Sequence, residues 1–229
     1  MTSRVRRWVC AAGTRQDRLR DPDAVIAVLG VRPAMVVADL GPGAGHFTLR
    51  LARAVEPDGV VYALDTSRGT LGELSALANK REITTLRAVP VRRERLEVPS
   101  PVDLLFVSAT YHHLPHPSGY FAAARGRLRP GGRVAILESR REGILARWLA
   151  PHATEPRRVQ REMKDAGYRL VATHDVVRGY WVRRFRSQLT FWRVRRGSRR
   201  SGIPKRVDAR SNASISETAQ SPSPGSGKI

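Results

Sequence analysis

The stretch that decides the fold of this chain is VVADLGPGAGHF, residues 36–47. Small and apolar residues run into Asp39, and glycines then follow at positions 41, 43 and 45 before the apolar spacing of a helix begins. This order predicts a strand, a tight loop and a helix. Glycine suits such a loop because the backbone must turn sharply and a ligand can then approach the main chain closely. We interpret the loop as a candidate nucleotide site, with a turn that binds no ligand as the alternative.

A second apolar run, VVYALD at residues 60–65, also ends in an acid. A carboxylate at the tip of a neighbouring parallel strand can accept both hydrogen bonds of a ribose diol, so we predict that Asp65 binds a ribose. The alternative is that Asp65 caps the next helix, because Asp, Thr and Ser are all common N-cap residues. A dinucleotide fingerprint is disfavoured, because its third glycine would fall at residue 46, which is His46.

Further along, VDLLFVS at residues 102–108 has the apolar character of a strand buried inside a parallel sheet. A helical segment follows from about residue 118 to 128, and LRPGGR at residues 128–133 breaks it before another strand. Alternating strands and helices predict an α/β fold.

The glycine loop, Asp65, Asp103 and the LRPGGR phrase together resemble the small class I methyltransferases of the ubiquinone/menaquinone C-methyltransferase-like (type 11) branch. The resemblance spans roughly residues 21–186, ending near GYWV at residues 179–182. It implies a single Rossmann-like, doubly wound α/β sheet of about seven strands. The implied order is 3-2-1-4-5-7-6, with strand 7 antiparallel and helices on both faces. It also implies S-adenosylmethionine as methyl donor and SN2 transfer to a small organic acceptor.

The resemblance and the positions of the motifs give the candidate site residues. Those expected to bind the cofactor are Asp39, Gly41, Gly43, Gly45, Asp65, Glu94 and Ser108. After the third strand, where the family places an acid near the adenine amino group, this chain departs from the pattern and reads VRRERL at residues 91–96. Glu94 would take that part with a shifted register, and arginines occupy the neighbouring positions. The catalytic candidates are His112, His113 and Tyr111, which follow the strand that carries Asp103. Either histidine would serve as a base if the acceptor must lose a proton. The alternative is that these side chains pack against the cofactor or in the core.

Composition predicts one catalytic domain. The 229 residues are 41% hydrophobic, enough for one sizeable core. We expect a mobile basic segment at 1–20, a methyltransferase domain at 21–186, and a basic, Gly/Ser/Pro-rich disordered tail at 187–229. No apolar run approaches the roughly 20 residues of a membrane span, so we expect a cytoplasmic enzyme. The single cysteine, Cys10, excludes an internal disulfide and a cysteine-held zinc, and no metal is predicted. The sequence makes no prediction of oligomeric state.

The formal net charge of +21 leaves two interpretations open. All but four of the 41 basic residues are arginine, which fits a bias in coding composition as well as a surface for phosphate backbones. An RNA or protein methyltransferase that docks through basic surface is therefore an alternative, as is a non-catalytic relative that binds nucleic acid or protein. DNA amino-methylating enzymes carry N/D-P-P-Y/F where this chain reads SATY at 108–111, so a small-molecule acceptor is favoured over nucleic acid.

Overall fold

A seven-stranded sheet forms the centre of the protein in the computed structural model, which describes residues 21–139, 154–177 and 180–188. The strands are β1 (Val36–Leu40), β2 (Val60–Asp65), β3 (Leu86–Pro90), β4 (Val102–Ser108), β5 (Leu128–Ser139), β6 (Tyr168–Val177) and β7 (Tyr180–Ser187). Their order is β3-β2-β1-β4-β5-β7-β6. Strands β1 to β5 pair in parallel, and β7 pairs antiparallel with both β5 and β6. The predicted topology is therefore confirmed.

Five α-helices lie within the described residues. They are α1 (Pro22–Leu29), α2 (Thr48–Ala54), α3 (Arg68–Lys80), α4 (Pro117–Ala124) and α5 (Pro156–Asp165). Helix α1 starts as its sequence suggests, because the Asp21 side chain accepts a hydrogen bond from the Ala24 N–H at 3.2 Å and Pro22 needs no N–H partner. Its end is closed by Gly30 at a φ of 61°.

Both faces of the sheet are buried, which explains why its central strands are apolar throughout. Val37, Leu104 and Phe106 pack with α1, α2 and α3 on one face. On the other face, Leu105 and its neighbours pack with α4 and α5. Each large side chain that is fully buried here contributes about 1.5–3 kcal/mol relative to an exposed one.

The LRPGGR phrase differs from its prediction. Helix α4 ends at Ala124, one 3₁₀ turn follows, and β5 already begins at Leu128, so the glycines lie inside the strand. The pairing register of β4 and β5 shifts in this region. A Cβ at Gly132 would lie 2.9 Å from the Arg129 carbonyl oxygen and 3.0 Å from that of Val102. Glycine therefore allows the two backbones to approach, instead of ending the strand.

Contacts between α-carbons divide the chain into two units, Met1–Phe191 and Trp192–Ile229, and all described residues belong to the first. The predicted segment at 1–20 and the predicted tail at 187–229, except for its first two residues, lie outside the described residues. Strand β7 extends to Ser187, and the Gln188 N–H donates to the Gly167 carbonyl at 2.8 Å. Within the described ranges, no helix combines the length and apolar content needed to cross a membrane.

Candidate active site

A cleft of about 590 Å³ opens at the carboxyl ends of the parallel strands. It lies where the strand order reverses between β1 and β4, the usual ligand position in open α/β sheets. Its lining residues come from the glycine loop, the tips of β2 and β4 and the segments after β3 and β4. They include Asp39, Gly41, Gly43, Asp65, Arg92, Arg93, Ser108, Ala109, His113 and Tyr120.

The glycine loop adopts backbone conformations that other residues rarely reach. Gly41, Gly43 and Gly45 have φ angles of 73°, 53° and 81°. A Cβ on Gly41 would collide with the Thr110 side chain, and one on Gly45 would collide with Leu74. At Gly43 no atom lies within 4 Å of the Cβ position, so a side chain there would project into open space beside the cleft. Gly41 and Gly43 line the cleft, whereas Gly45 does not line it and packs against Leu74.

Asp39 is a buried carboxylate with a hydrogen-bond partner in the described part of the chain for only one of its two oxygens. Its side chain is 1% exposed, and Oδ2 accepts a hydrogen bond of 2.6 Å from the Thr48 hydroxyl. Oδ1 is buried and has no hydrogen-bond partner in the described part of the chain. Burial raises the pKa of Asp39 to about 7; the Thr48 bond opposes this rise and the charge of Asp65 adds to it. A ligand with a cationic or N–H donor group would satisfy this oxygen.

Asp65 lies at the tip of β2 and keeps one carboxylate oxygen available. Oδ1 accepts the Ser67 N–H at 2.8 Å, and no described residue donates to Oδ2. The alternative role as helix cap is taken by Ser67, whose hydroxyl accepts the Thr70 N–H at 3.2 Å at the start of α3. Asp65 is thus free to bind a ligand through Oδ2 while Oδ1 holds its orientation.

Tyr120 supplies a second buried polar atom without a partner. It lies on α4, is 5% exposed and lines the cleft. Its hydroxyl forms no hydrogen bond to any residue that the structure describes, and burial raises its pKa above the usual range. A buried hydroxyl without a partner costs free energy unless a ligand pairs with it.

At the end of β4 the chain is held in a strained conformation. Ala109 has a φ of 49°, in the left-handed region that non-glycine residues seldom occupy. Its N–H donates to Leu137 at 3.0 Å, and the Thr110 hydroxyl donates to the Ser108 carbonyl at 3.0 Å. Strain of this kind is concentrated at ligand sites, and here it holds Ser108 and Ala109 in the lining.

Of the three predicted catalytic residues, only His113 lines the cleft. The His112 Nδ1 atom instead lies 3.3 Å from both carboxylate oxygens of the buried Glu138. Tyr111 is 1% exposed, and its hydroxyl donates to Glu162 at 2.6 Å. These two side chains therefore bind neighbouring elements of the fold.

The rim beyond β3 is basic. Arg92 and Arg93 are exposed and line the cleft, whereas Glu94 is exposed outside the lining. The structure thus does not place the predicted adenine-binding acid at the cleft. Within the described ranges, no group of three or more His, Cys, Asp or Glu side chains could hold a metal ion.

Sequence reasoning missed Tyr120 and Thr48. Tyr120 follows the apolar pattern of α4 and resembles a core residue, so only its lack of a partner reveals it. Thr48 gave a weak signal, because it is a polar residue in the first turn after the glycine loop.

Comparison with known proteins agrees with this geometry. Residues 37–132 match the family described as "Methyltransferase domain". The ubiquinone/menaquinone biosynthesis C-methyltransferase UbiE of Cupriavidus necator is 30% identical over 117 residues, 49% of this chain and 46% of that protein. An uncharacterized 37.1 kDa protein in a Streptomyces fradiae transposon is 30% identical over 50% of this chain and 33% of its own length. The chain spans about half the length, or less, of these curated relatives.

Solved structures share the fold at low identity. A SAM-dependent methyltransferase from Aquifex aeolicus superposes with a TM-score of 0.67 at 22% identity, over 74% of this chain and 91% of its own. The CcbJ methyltransferase from Streptomyces caelestis gives 0.60 at 17% identity, over 74% and 90%. The [4+2]-cyclase SpnF gives 0.65 at 16% identity, over 77% and 84%, which shows that this fold does not determine the reaction.

The matched segment contains the glycine loop, Asp65 and the end of β4, which are the parts that form the cleft. Residues 37–132 are therefore similar to a methyltransferase domain, and the described part of the chain has the fold of solved methyltransferases.

Proposed function

We propose that the protein transfers a methyl group from S-adenosylmethionine to a small organic acceptor in the cleft. The observation that carries the proposal is the buried Oδ1 of Asp39, which has no hydrogen-bond partner among the described residues, in the cleft that Gly43 also lines. A buried polar atom of this kind costs free energy in the empty protein and is satisfied when a donor group binds.

The residues of the cleft suit the three parts of the cofactor. Asp39 and the glycine loop would hold the amino-acid end, because the amino group donates and the loop leaves room for it. Asp65 would accept hydrogen bonds from the ribose through Oδ2. Arg92 and Arg93 would contact the base at the end beyond β3.

When bound, S-adenosylmethionine supplies a methyl group on a positively charged sulfur, which an acceptor's lone pair attacks as the carbon–sulfur bond breaks. The chain's contribution is to align the acceptor with that methyl group and to keep water away from it. Leu40, Leu64 and Leu114 give the cleft part of its apolar wall. The products are the methylated acceptor and S-adenosylhomocysteine.

Among the predicted catalytic residues, His113 is the one placed to take a proton from the acceptor, since it alone of the three lines the cleft. Its imidazole lies 4.1 Å, centroid to centroid, from that of His112, which is next to Glu138. We expect His113→Ala to lower turnover at least tenfold, with cofactor affinity within about twofold of wild type. His112→Ala is the comparison, since His112 does not line the cleft. Unchanged turnover of His113→Ala would show that His113 does not act as the base.

The acceptor class is tested by labelling. Purified protein is incubated with methyl-labelled S-adenosylmethionine and a cell extract that has been separated into small molecules, RNA and protein. We expect label in the small-molecule fraction, and none above background with Gly43→Val, because Gly43 lines the cleft and its φ of 53° is one that a β-branched residue seldom adopts. Label in RNA or protein would favour the docking alternative, and no transfer to any fraction would contradict the proposal. A cytoplasmic location stays a prediction from the sequence.

A further inference from the structure

A row of arginines crosses the sheet away from the cleft. Arg133 on β5 is the register partner of Arg186 on β7, and Arg186 is in turn the partner of Arg169 on β6. Directly paired residues project from the same face of a sheet, and neighbouring strands lie about 4.8 Å apart. Three guanidinium-bearing residues therefore share one face within about 10 Å across the strands.

Two more arginines, Arg184 and Arg32, lie near this row. Arg184 lies two residues before Arg186 on β7 and so projects from the same face. The pKa of Arg133 is lowered by burial first, and then by the charges of Arg184, Arg186 and Arg32. We call these five residues, Arg32, Arg133, Arg169, Arg184 and Arg186, the arginine face.

The arginine face carries little compensating charge. Arg133 donates to the carbonyl oxygens of Leu29 and Gly30 at 2.7 and 2.8 Å, and the charge of Asp103 opposes the lowering of its pKa. Asp103 itself forms an ion pair with Arg129 at 2.9 Å. Among the described residues, none of the five arginines forms an ion pair with an acid. Arg32, Arg169 and Arg186 are exposed.

Like charges directly opposite each other destabilise a sheet, so this arrangement has a cost that an anion would offset. The face lies at the opposite end of the sheet from the cleft, since Arg133 pairs with Leu104 near the start of β4 and Ser108 at its end lines the cleft. An anion bound there would not occupy the active site.

We propose that the arginine face binds the phosphodiester backbone of a nucleic acid, as a docking site separate from the methyl-transfer cleft. Arginine pairs with phosphate oxygens through two parallel N–H donors, and a row of such groups suits a repeating polyanion. The formal net charge of +21 favours association with the same partner. A membrane surface fits less well, because lasting membrane docking usually combines attraction to anionic lipids with inserted apolar groups. Val171, 38% exposed, is the only large hydrophobic residue of the described ranges that is exposed.

The test must distinguish binding through the arginine face from binding through the general positive charge of the protein. The full-length chain carries either Arg169→Gln with Arg186→Gln, or the matched control Arg81→Gln with Arg157→Gln. The control removes the same charge from exposed arginines on other elements. Binding to a fluorescent DNA duplex is measured by anisotropy over a range of salt concentrations. Titration with S-adenosylhomocysteine checks that both variants keep an intact cleft.

We expect the Arg169/Arg186 variant to bind the duplex at least fivefold more weakly than the control. The slope of log affinity against log salt should also be smaller by about 2, because two phosphate contacts are lost. Equal weakening in the two variants would overturn the proposal, because charge alone would then explain binding. Unchanged duplex binding together with weaker binding to anionic lipid vesicles would also overturn it, in favour of a membrane partner.

Discussion

The Thr48 hydroxyl donates a hydrogen bond of 2.6 Å to Asp39 Oδ2 and leaves Oδ1 of the same buried carboxylate without a partner in the described part of the chain. This one bond fixes the orientation of the carboxylate across the turn between β1 and α2. It explains how an ionisable residue is retained in the lining of the cleft, because one oxygen is satisfied by the fold and the other is left for a ligand.

The raised pKa of Asp39 predicts a pH dependence of stability. An acid whose pKa is higher in the folded protein than in the unfolded chain binds its proton more tightly when folded. The contribution of Asp39 to the free energy of unfolding should therefore fall as pH rises from about 4 to about 7 and be constant above that. The full shift corresponds to about 4 kcal/mol. Asp39→Asn should abolish this slope in urea unfolding measured between pH 4 and pH 8.

The control for this experiment is Asp58→Asn, which changes an exposed aspartate in a turn. Its stability profile should parallel that of the wild type. If the Asp39→Asn profile is also parallel to the wild type, Asp39 is not the titrating group and its role in the cleft must be revised.

Tyr120→Phe should lower kcat/KM without lowering the free energy of unfolding. Removing a buried hydroxyl without a partner should leave the free energy of unfolding unchanged or increase it by up to about 1 kcal/mol. If the hydroxyl binds the cofactor or acceptor, kcat/KM should fall about two- to tenfold from the loss of one hydrogen bond. Thermal unfolding and steady-state kinetics measure the two effects.

Tyr168→Phe is the matched control, because Tyr168 is also buried but its hydroxyl donates to the Phe121 carbonyl at 3.1 Å. It should destabilise the protein by about 0.5–1.5 kcal/mol and leave kcat/KM unchanged. A Tyr120→Phe enzyme that is destabilised with unchanged kinetics would show that Tyr120 is part of the core only.

The positions of Arg92 and Arg93 predict that the cleft discriminates little between adenine and a base that lacks its amino group. Arginine has N–H donors and no acceptor, so neither side chain can accept a hydrogen bond from the adenine amino group. S-inosylhomocysteine, in which an oxygen replaces that amino group, should therefore bind within about threefold of S-adenosylhomocysteine. Arg92→Ala with Arg93→Ala should weaken both ligands to a similar extent. Isothermal titration calorimetry gives all four affinities.

A preference of more than tenfold for the adenine ligand would contradict this prediction. If Glu94→Gln then removed that preference, Glu94 would be shown to contact the base despite its position outside the cleft lining.

Local sequence pattern accounts for the alternation of strands and helices, because parallel strands buried on both faces produce apolar runs and the glycine loop marks the turn after β1. The order of the strands was predicted from the family resemblance. The positions of Asp39 and Asp65 were predicted for the same reason, since both lie at strand tips. Contacts between distant residues could not be predicted. Tyr111 pairs with Glu162 and His112 approaches Glu138, and no local pattern specifies either contact. The strand after LRPGGR was predicted but its start at Leu128 was not, because proline and glycine usually end elements, and here a close approach of two backbones requires glycine.

Titration with S-adenosylhomocysteine tests the central claim most directly. The wild type should bind it in the micromolar range. Asp65→Ala should bind about ten- to hundredfold more weakly, from the loss of about 1.5–3 kcal/mol of hydrogen bonding to a charged acceptor. Ser67→Ala, which removes the cap of α3, should cost about 1 kcal/mol of stability with little change in affinity. A wild-type protein that does not bind the nucleoside, or an Asp65→Ala variant with unchanged affinity, would contradict the assignment of this cleft.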